Sequence, residues 1–216
     1  MQNTYLKHDI NIYAIHTNLD NVKNGVNKQI AEIIGLTNLK ILLPKRDFLR
    51  QLAVFCPKEA AEKVRNALFE SGAGHIGDYD QCSFNIHGQG TFRASETCTP
   101  YVGELGKMHV ENEERIEVIF PKDLENNIIS AMHKAHPYEQ IAYQIYILDN
   151  IFHNVGSGIF GDLPKSINSN KFLKRLKKQM QTECIKYTNL VKEKIKRVAV
   201  CGGSGSFLLK EAQRIN

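Results

Sequence analysis

The stretch NIYAIHTNLD, Asn11–Asp20, is a nearly continuous apolar run that ends abruptly in polar residues. An apolar run of this kind, bounded by polar residues, predicts a strand that is buried on both faces. In open α/β sheets ligands bind at the carboxyl end of such strands, where His16 and Asp20 stand here. An imidazole and a carboxylate suit a divalent cation, but a helix cap at Asp20 and a surface residue at His16 are an equally good alternative.

The composition restricts the class of protein. The chain has 216 residues, of which 42% are hydrophobic and 24% charged, as expected for a folded chain with one large or two modest domains. It contains no run of about 18 apolar residues and no cleavable leader pattern, which predicts a cytoplasmic protein without membrane contact. Five cysteines without CxxC spacing argue against both a disulfide framework and a zinc ribbon.

Residues 165–197 form a basic segment. They include 11 Lys and Arg but only two Glu, whereas the rest of the chain has 17 basic and 21 acidic residues. A segment of this kind could contact nucleic acid or another polyanion. We favour a solvated helix face followed by a charged loop, because no aromatic pattern interleaves the lysines as a base-stacking surface requires.

The order of predicted strands and helices divides the chain into three parts. Residues 1–47 begin an α/β unit, with a strand at Asn11–Asp20 and a helix over 21–35. Residues 48–150 follow the order β α β β α β, which is the order of a ferredoxin-like domain. Residues 151–216 return to the α/β pattern. We therefore expect an outer α/β domain that is interrupted by a compact insert.

Some finer predictions concern single elements. Ser169 is expected to cap a helix, and Ile185–Tyr187 to form a short strand. The glycines of GGSGS, which follow a buried strand, have the form of an anion-binding loop, but they lack a Walker A lysine and GxGxxG spacing. The helix over 21–35 is predicted to point these apolar side chains inward: Val22, Val26, Ile30, Ile33 and Ile34.

Two further positions carry reactive side chains. His136 and Glu139 flank Pro137 at a predicted helix end, so a general acid or base role is conceivable. We prefer a helix stop with a hydrogen-bonded Tyr138, because the residue before a proline leaves the α region. Cys201 precedes two glycines as a nucleophile would, but the sequence places no base beside it, so we assign it to the core.

Six separate blocks of sequence identify a family. They are HTNLD with GVNKQIAEIIGL, AGHIGDYDQCSF, GQGTFRAS, HPYEQIAYQIY, GSGIFGDL and RVAVCGGSGS. Together and in this order they closely resemble the Nif-three-like dinuclear metal centre family, which also carries the label type 2 GTP cyclohydrolase I. The resemblance implies a partial outer α/β domain interrupted by a ferredoxin-like insert. It also implies a toroidal homohexamer with two divalent metal ions per subunit.

The sequence departs from the family pattern at the metal ligands. The resemblance implies an upstream pair of adjacent histidines, the aspartate of HTNLD, and a histidine and a glutamate near the C-terminus. Only Asp20 maps onto this set, with His16 as a nearby candidate. The chain thus resembles a middle fragment of the fold, truncated at both ends. Stable sites use three or more protein ligands, so we expect this polypeptide alone to bind metal weakly and to have little hydrolase activity.

Two functional classes follow from the resemblance. The first is a metal-dependent hydrolase acting on a nucleotide or another phosphorylated small molecule, in which two cations lower the pKa of a bridging water. The alternative is a non-enzymatic, ring-forming regulatory or scaffold protein whose insert binds a small effector or a partner. Family membership implies a metal site but leaves its substrate open.

Overall fold

The computed structural model describes residues 11, 13–15 and 18–215, which form two compact units. One unit comprises the chain up to Lys45 and from Phe152 onward, and the other is Arg46–Ile151. No helix within these described residues is long and apolar enough to cross a membrane. The elements are α1 Val26–Ile34, β1 Thr37–Lys45, β2 Leu49–Pro57, α2 Ala61–Glu70, β3 Phe84–Arg93, β4 Met108–Pro121, α3 Glu125–Ala135, β5 Tyr143–Leu148, β6 Phe152–Asn168, α4 Ser169–Gln179, β7 Lys194–Val200 and α5 Leu209–Arg214.

The first unit contains an antiparallel sheet in the order β1-β6-β7. Strand β6 is central, with Ile159 opposite both Ile41 of β1 and Val200 of β7. A Cβ atom on Gly156 of β6 would lie 2.3 Å from the carbonyl oxygen of Leu43, so glycine is required where the two strands approach. The core of this unit consists of Ala31, Ile34, Leu36, Ile159, Leu163, Phe172 and Val200.

The second unit, Arg46–Ile151, contains an antiparallel sheet in the order β3-β4-β2-β5. Its elements follow the chain as β2, α2, β3, β4, α3 and β5, which is the predicted ferredoxin-like order. Strand β4 shows why the sequence specifies this sheet, since Ile116, Val118 and Phe120 alternate with half-buried residues and are themselves buried. The α/β fold class expected from the sequence is therefore confirmed.

The stretch Asn11–Asp20 differs from its prediction. Its described residues Asn11 and 13–15 belong to no strand, and Tyr13 is 83% exposed. Residues 18–20 form a turn. Ile12, His16 and Thr17 lie outside the described residues, and no described strand pairs with the rest of this stretch. Apolar content alone therefore did not predict a strand for these described residues.

Two finer predictions are also wrong, and a third is wrong in part. The N-cap of α4 is Asn168 and not Ser169, because the Asn168 side chain accepts hydrogen bonds from the next helical N–H groups. Residues 185–187 form no strand. The buried face of α1 consists of Asn27, Ala31 and Ile34, and Ile30 packs against the core, so Ile30 and Ile34 point inward as predicted. The helix begins at Val26 and not at residue 21, and Val22, Val26 and Ile33 are exposed. Apolar residues cover more than one face of α1, so their spacing identified only part of the face that packs on the sheet.

Candidate functional site

Asp20 lies in the turn before α1 and is partly exposed. Its backbone carbonyl accepts a hydrogen bond from Nδ2 of Asn27 at 2.7 Å. Oδ1 of the same Asn27 accepts the N–H of Gly202 at 2.6 Å. Asn27 is only 1% exposed, so one buried amide joins the turn of Asp20 to the glycine loop that follows β7.

Asn27 is a site residue that sequence reasoning missed. The available signal was a polar side chain on the same helix face as Ala31 and Ile34, four and seven residues later. A buried amide must find hydrogen-bond partners, so such a position indicates a specific contact. The sequence could not name Gly202 as that partner, because 175 positions separate the two residues.

The Asp20 carboxylate lies close to the glycine loop. A Cβ atom added to Gly202 would stand 3.5 Å from Oδ1 of Asp20, so the absence of a side chain leaves the carboxylate open on that side. Burial, and then the negative charge of Asp20, raise the pKa of the Cys201 thiol above its usual range. A protonated thiol is a poor nucleophile and a poor metal ligand. Cys201 is half-buried and belongs to neither described core cluster, so its assignment to the core is wrong.

Asp20 is the described residue that fits one of the metal ligands implied by the family resemblance. Its carboxylate is a hard oxygen donor of the type that divalent cations use. The amide oxygen of Asn27 already accepts the Gly202 N–H. Residues 18–215 contain no cluster of three or more His, Cys, Asp or Glu side chains that could hold a metal ion. His16, the other candidate, lies outside the described residues.

His136 and Glu139 have separate surroundings in the other unit. Nε2 of His136 lies 2.9 Å from the carbonyl oxygen of Phe55, and Nδ1 accepts the N–H of Tyr138 at 3.0 Å. Both ring nitrogens are thus occupied by backbone groups, and the imidazole is neutral with its proton on Nε2. Glu139 is exposed and accepts the Thr99 N–H at 3.3 Å. This geometry favours the helix stop over acid–base chemistry.

The protonation of His136 leads to a testable expectation. Burial lowers the pKa of His136 below its usual range, so the unfolded chain binds this proton at pH values where the folded chain does not. The stability that the neutral imidazole confers is therefore complete above about pH 6.5 and is lost as the pH falls below that value. The loss stops growing once the pH is below the pKa of the folded state.

An NMR titration of the imidazole resonances from pH 7.5 to 4.5 measures this pKa directly. We expect His136 to titrate below 6.5. Urea unfolding at pH 7 and pH 5 should show a smaller pH dependence for His136→Gln than for the wild type. A His136 resonance that titrates at or above 6.5 would contradict the expectation.

Some basic side chains of residues 165–197 make hydrogen bonds or ion pairs within the chain itself. Nζ of Lys196 donates to the carbonyl oxygens of Leu163 and Pro164, and the Arg197 guanidinium pairs with Asp162 at 2.9 Å. That pairing keeps the pKa of the Asp162 carboxyl below its ordinary value. Binding of a polyanion by residues 165–197, and our preference for a solvated face there, stay predictions.

Known proteins are similar to this chain in sequence. A relative from Bacillus subtilis (strain 168), named GTP cyclohydrolase 1 type 2 homolog, is 40% identical over 210 residues, which are 97% of this chain and 56% of the relative. A relative of the same name from Mycobacterium leprae (strain TN) is 37% identical over 205 residues, with coverage of 93% and 53%. The chain spans about half the length of these curated relatives.

A solved structure agrees with the sequence relatives. The crystal structure of a Bacillus cereus protein related to NIF3 superimposes with a TM-score of 0.83 and is 37% identical, covering 99% of this chain and 57% of that one. A sequence model of the Duf34/NIF3 (NGG1p interacting factor 3) family matches residues 1–216. These matches confirm the resemblance carried by the six sequence blocks, and the chain belongs to the Duf34/NIF3 family.

Proposed function

We propose that this chain is the part of a metal-dependent hydrolase that supplies Asp20 to a dinuclear metal centre. The observation that carries the proposal is the position of Asp20, which Asn27 holds beside the glycine loop. The relatives named GTP cyclohydrolase 1 type 2 homolog support a hydrolytic reaction. The proposed substrate class is a nucleotide or another phosphorylated small molecule.

At such a centre, the described residues would have two separate roles, metal binding and positioning of the metal ligand. Two bound divalent cations would supply an activated water and stabilise negative charge on the substrate. Asp20 would hold one ion through its carboxylate, and Asn27 would keep the Asp20 turn next to Gly202. Gly203 has a φ of +70°, a conformation that favours glycine and lets the backbone of the loop approach an anionic group closely. The other ligands would come from residues beyond those described.

Metal binding by the isolated chain tests this proposal. The chain would be loaded with Mn²⁺ or Zn²⁺, dialysed, and assayed for bound metal by mass spectrometry and calorimetry. We expect weak binding with less than one ion retained per chain, since one carboxylate cannot hold two ions. Asp20→Asn should abolish even that weak binding, because an amide carries no charge.

The control for the metal experiment is Glu32→Gln, which removes an exposed carboxylate from α1 in the same unit. It should bind metal as the wild type does. Retention of two ions per chain after dialysis would overturn the expectation of weak binding. Unchanged metal binding in Asp20→Asn would overturn the assignment of Asp20 as a ligand.

The second candidate function is that of a non-enzymatic, ring-forming regulatory protein, a homohexamer by analogy with the family, whose insert binds a small effector. The observation that favours it is a cavity of about 620 Å³ within the Arg46–Ile151 unit. Ligand sites in proteins have volumes of this order and combine apolar walls with a few polar groups. This cavity requires no metal, so the two candidate functions are tested by different experiments.

A further inference from the structure

We infer that the cavity of the Arg46–Ile151 unit is a binding site for a small organic amine, with Glu113 and the Tyr138 hydroxyl as receptors for the ammonium group. The inference gives the effector of the regulatory candidate a chemical class. It is independent of Asp20 and of any metal ion. Aromatic walls surround a carboxylate that has no ion-pair partner within this unit, and a shielded, poorly satisfied hydroxyl lies beside it.

Aromatic rings form the walls of the cavity. Phe92, Tyr101 and Tyr138 line it together with Phe55. The ring centroids of Phe92 and Tyr101 lie 6.2 Å and 6.1 Å from that of Tyr138, and their planes are inclined to the Tyr138 ring by 62° and 54°. Inclined rings around a common space present several π faces, which attract a cation and also bury an apolar body.

Glu113 supplies negative charge inside these walls. It is half-buried, and its carboxylate lies directly over Gly90 of β3. A Cβ atom at Gly90 would stand 2.1 Å from Oε2 of Glu113, so only glycine leaves room for the carboxylate there. Its neighbours on the same face of β4 are already paired. His109 contacts Glu111 at 2.9 Å, and Arg115 contacts Glu117 at 2.6 Å. Within the Arg46–Ile151 unit Glu113 therefore has no ion-pair partner, although it lies in a partly dehydrated position.

Tyr138 places a hydroxyl group beside this carboxylate. Its Oη atom is shielded from solvent and makes no hydrogen bond that satisfies ordinary geometry with any residue of the described chain. Burial, followed by the charge of Glu113 and a hydrogen-bonding contact with the same carboxylate, raises the pKa of the Tyr138 phenol. That contact falls outside ordinary hydrogen-bond geometry, so the shielded hydroxyl is poorly satisfied, which is costly. An ammonium group could donate one N–H to Oη and another to Glu113, and it would satisfy both.

The charge of the cavity agrees with a cationic ligand. Glu113 and Glu139 line it, and Arg93, which is exposed, is the basic residue among its lining side chains. A volume of about 620 Å³ admits an amine that carries an aromatic or aliphatic body. A half-buried carboxylate without an ion-pair partner favours a positively charged ligand over a neutral one of the same shape, because only the former adds an ion pair to the hydrogen bond.

Binding of phenethylamine tests the inference. The full chain would be titrated at pH 7 with phenethylamine, with its neutral analogue 2-phenylethanol and with the anionic 3-phenylpropionate, and followed by calorimetry and amide NMR shifts. We expect phenethylamine to bind and to shift the amides of Phe92, Tyr101 and Tyr138. The alcohol and the carboxylate should each bind at least about tenfold more weakly, since the alcohol forms no ion pair with Glu113 and the carboxylate is repelled by it.

Three variants separate the ammonium receptors from the rest of the cavity. Glu113→Gln should weaken phenethylamine binding about tenfold or more, and Tyr138→Phe should weaken it less, since the ring remains. Gly90→Ala should also weaken it, because the new methyl group displaces the Glu113 carboxylate. The matched control is Glu62→Gln, which changes an exposed carboxylate of α2 in the same unit but outside the cavity and should stay within about twofold of the wild type.

Several results would overturn the inference. They are an absence of phenethylamine binding at millimolar concentration, equal binding of the amine and the alcohol, or equal binding by the wild type and a folded Glu113→Gln variant. Tight binding of 3-phenylpropionate would also overturn it. That last result would point to Arg93 as the receptor of an anionic effector. The amine-binding inference would then be wrong, while the regulatory candidate function would still stand.

Discussion

The Gly25→Ala variant is expected to lose about 3 kcal/mol of folding free energy in the unit that contains Asp20. Gly25 is buried, and a Cβ atom there would lie 1.8 Å from the carbonyl oxygen of Leu19 and 2.9 Å from its carbonyl carbon. That carbonyl also accepts the N–H of Val26, the first residue of α1. The backbone must therefore move, and the Asp20 turn must move with it.

Chemical denaturation monitored by the amide signals of α1 and β6 measures this loss. Gly202→Ala is the matched control in the same unit, because its added Cβ would have only ordinary contacts, the nearest at 3.4 Å. It should change the free energy of unfolding by less than about 1 kcal/mol. If Gly25→Ala were as stable as Gly202→Ala, the close packing of Gly25 against Leu19 would be incorrect.

The Phe120→Ala variant is expected to destabilise the Arg46–Ile151 unit by about 4 kcal/mol. Phe120 lies on β4, is 1% exposed and belongs to the core that β4 shares with α2 and α3. Removal of the ring deletes buried apolar surface and leaves a cavity that the surrounding side chains fill only in part. A loss of this size is a large fraction of the stability of a domain of about 100 residues.

Thermal and urea unfolding followed by the amide signals of β2 and β4 would measure the effect. Phe84→Ala is the control, since Phe84 lies on β3 of the same sheet but is 65% exposed. It should cost less than about 1 kcal/mol. A similar loss in both variants would mean that burial does not distinguish these two phenylalanines.

Much of the insert could be predicted from its sequence because its signals are local. Strand β4 alternates buried and half-buried residues with a period of two, and a single sheet face satisfies that pattern. The helix before Pro137 ends as predicted, at Ala135, because the residue before a proline avoids the helical region. Strand β3 continues through its two glycines, Gly88 and Gly90, because pairing with β4 keeps them extended.

The candidate metal site could be predicted only in part. The sequence singled out Asp20 by its position after an apolar run and by the HTNLD block, although the described part of that run forms no strand. It did not single out Asn27, because a polar residue inside an amphipathic helix has no partner that periodicity can reveal. The contact between Asn27 and Gly202 exists only once α1 and the loop after β7 are folded together.

By itself the sequence determined the family, the α/β class and the ferredoxin-like order of the insert, since periodicity, turn residues and sequence blocks are all properties of neighbouring positions. Only the tertiary structure decided which polar groups meet. It brought Gly202 to Asn27 beside Asp20, and it set Glu113 against Gly90 in an aromatic cavity. The physical reason is that hydrogen bonds and charge contacts act over a few ångströms in space, and only packing brings distant positions to that range.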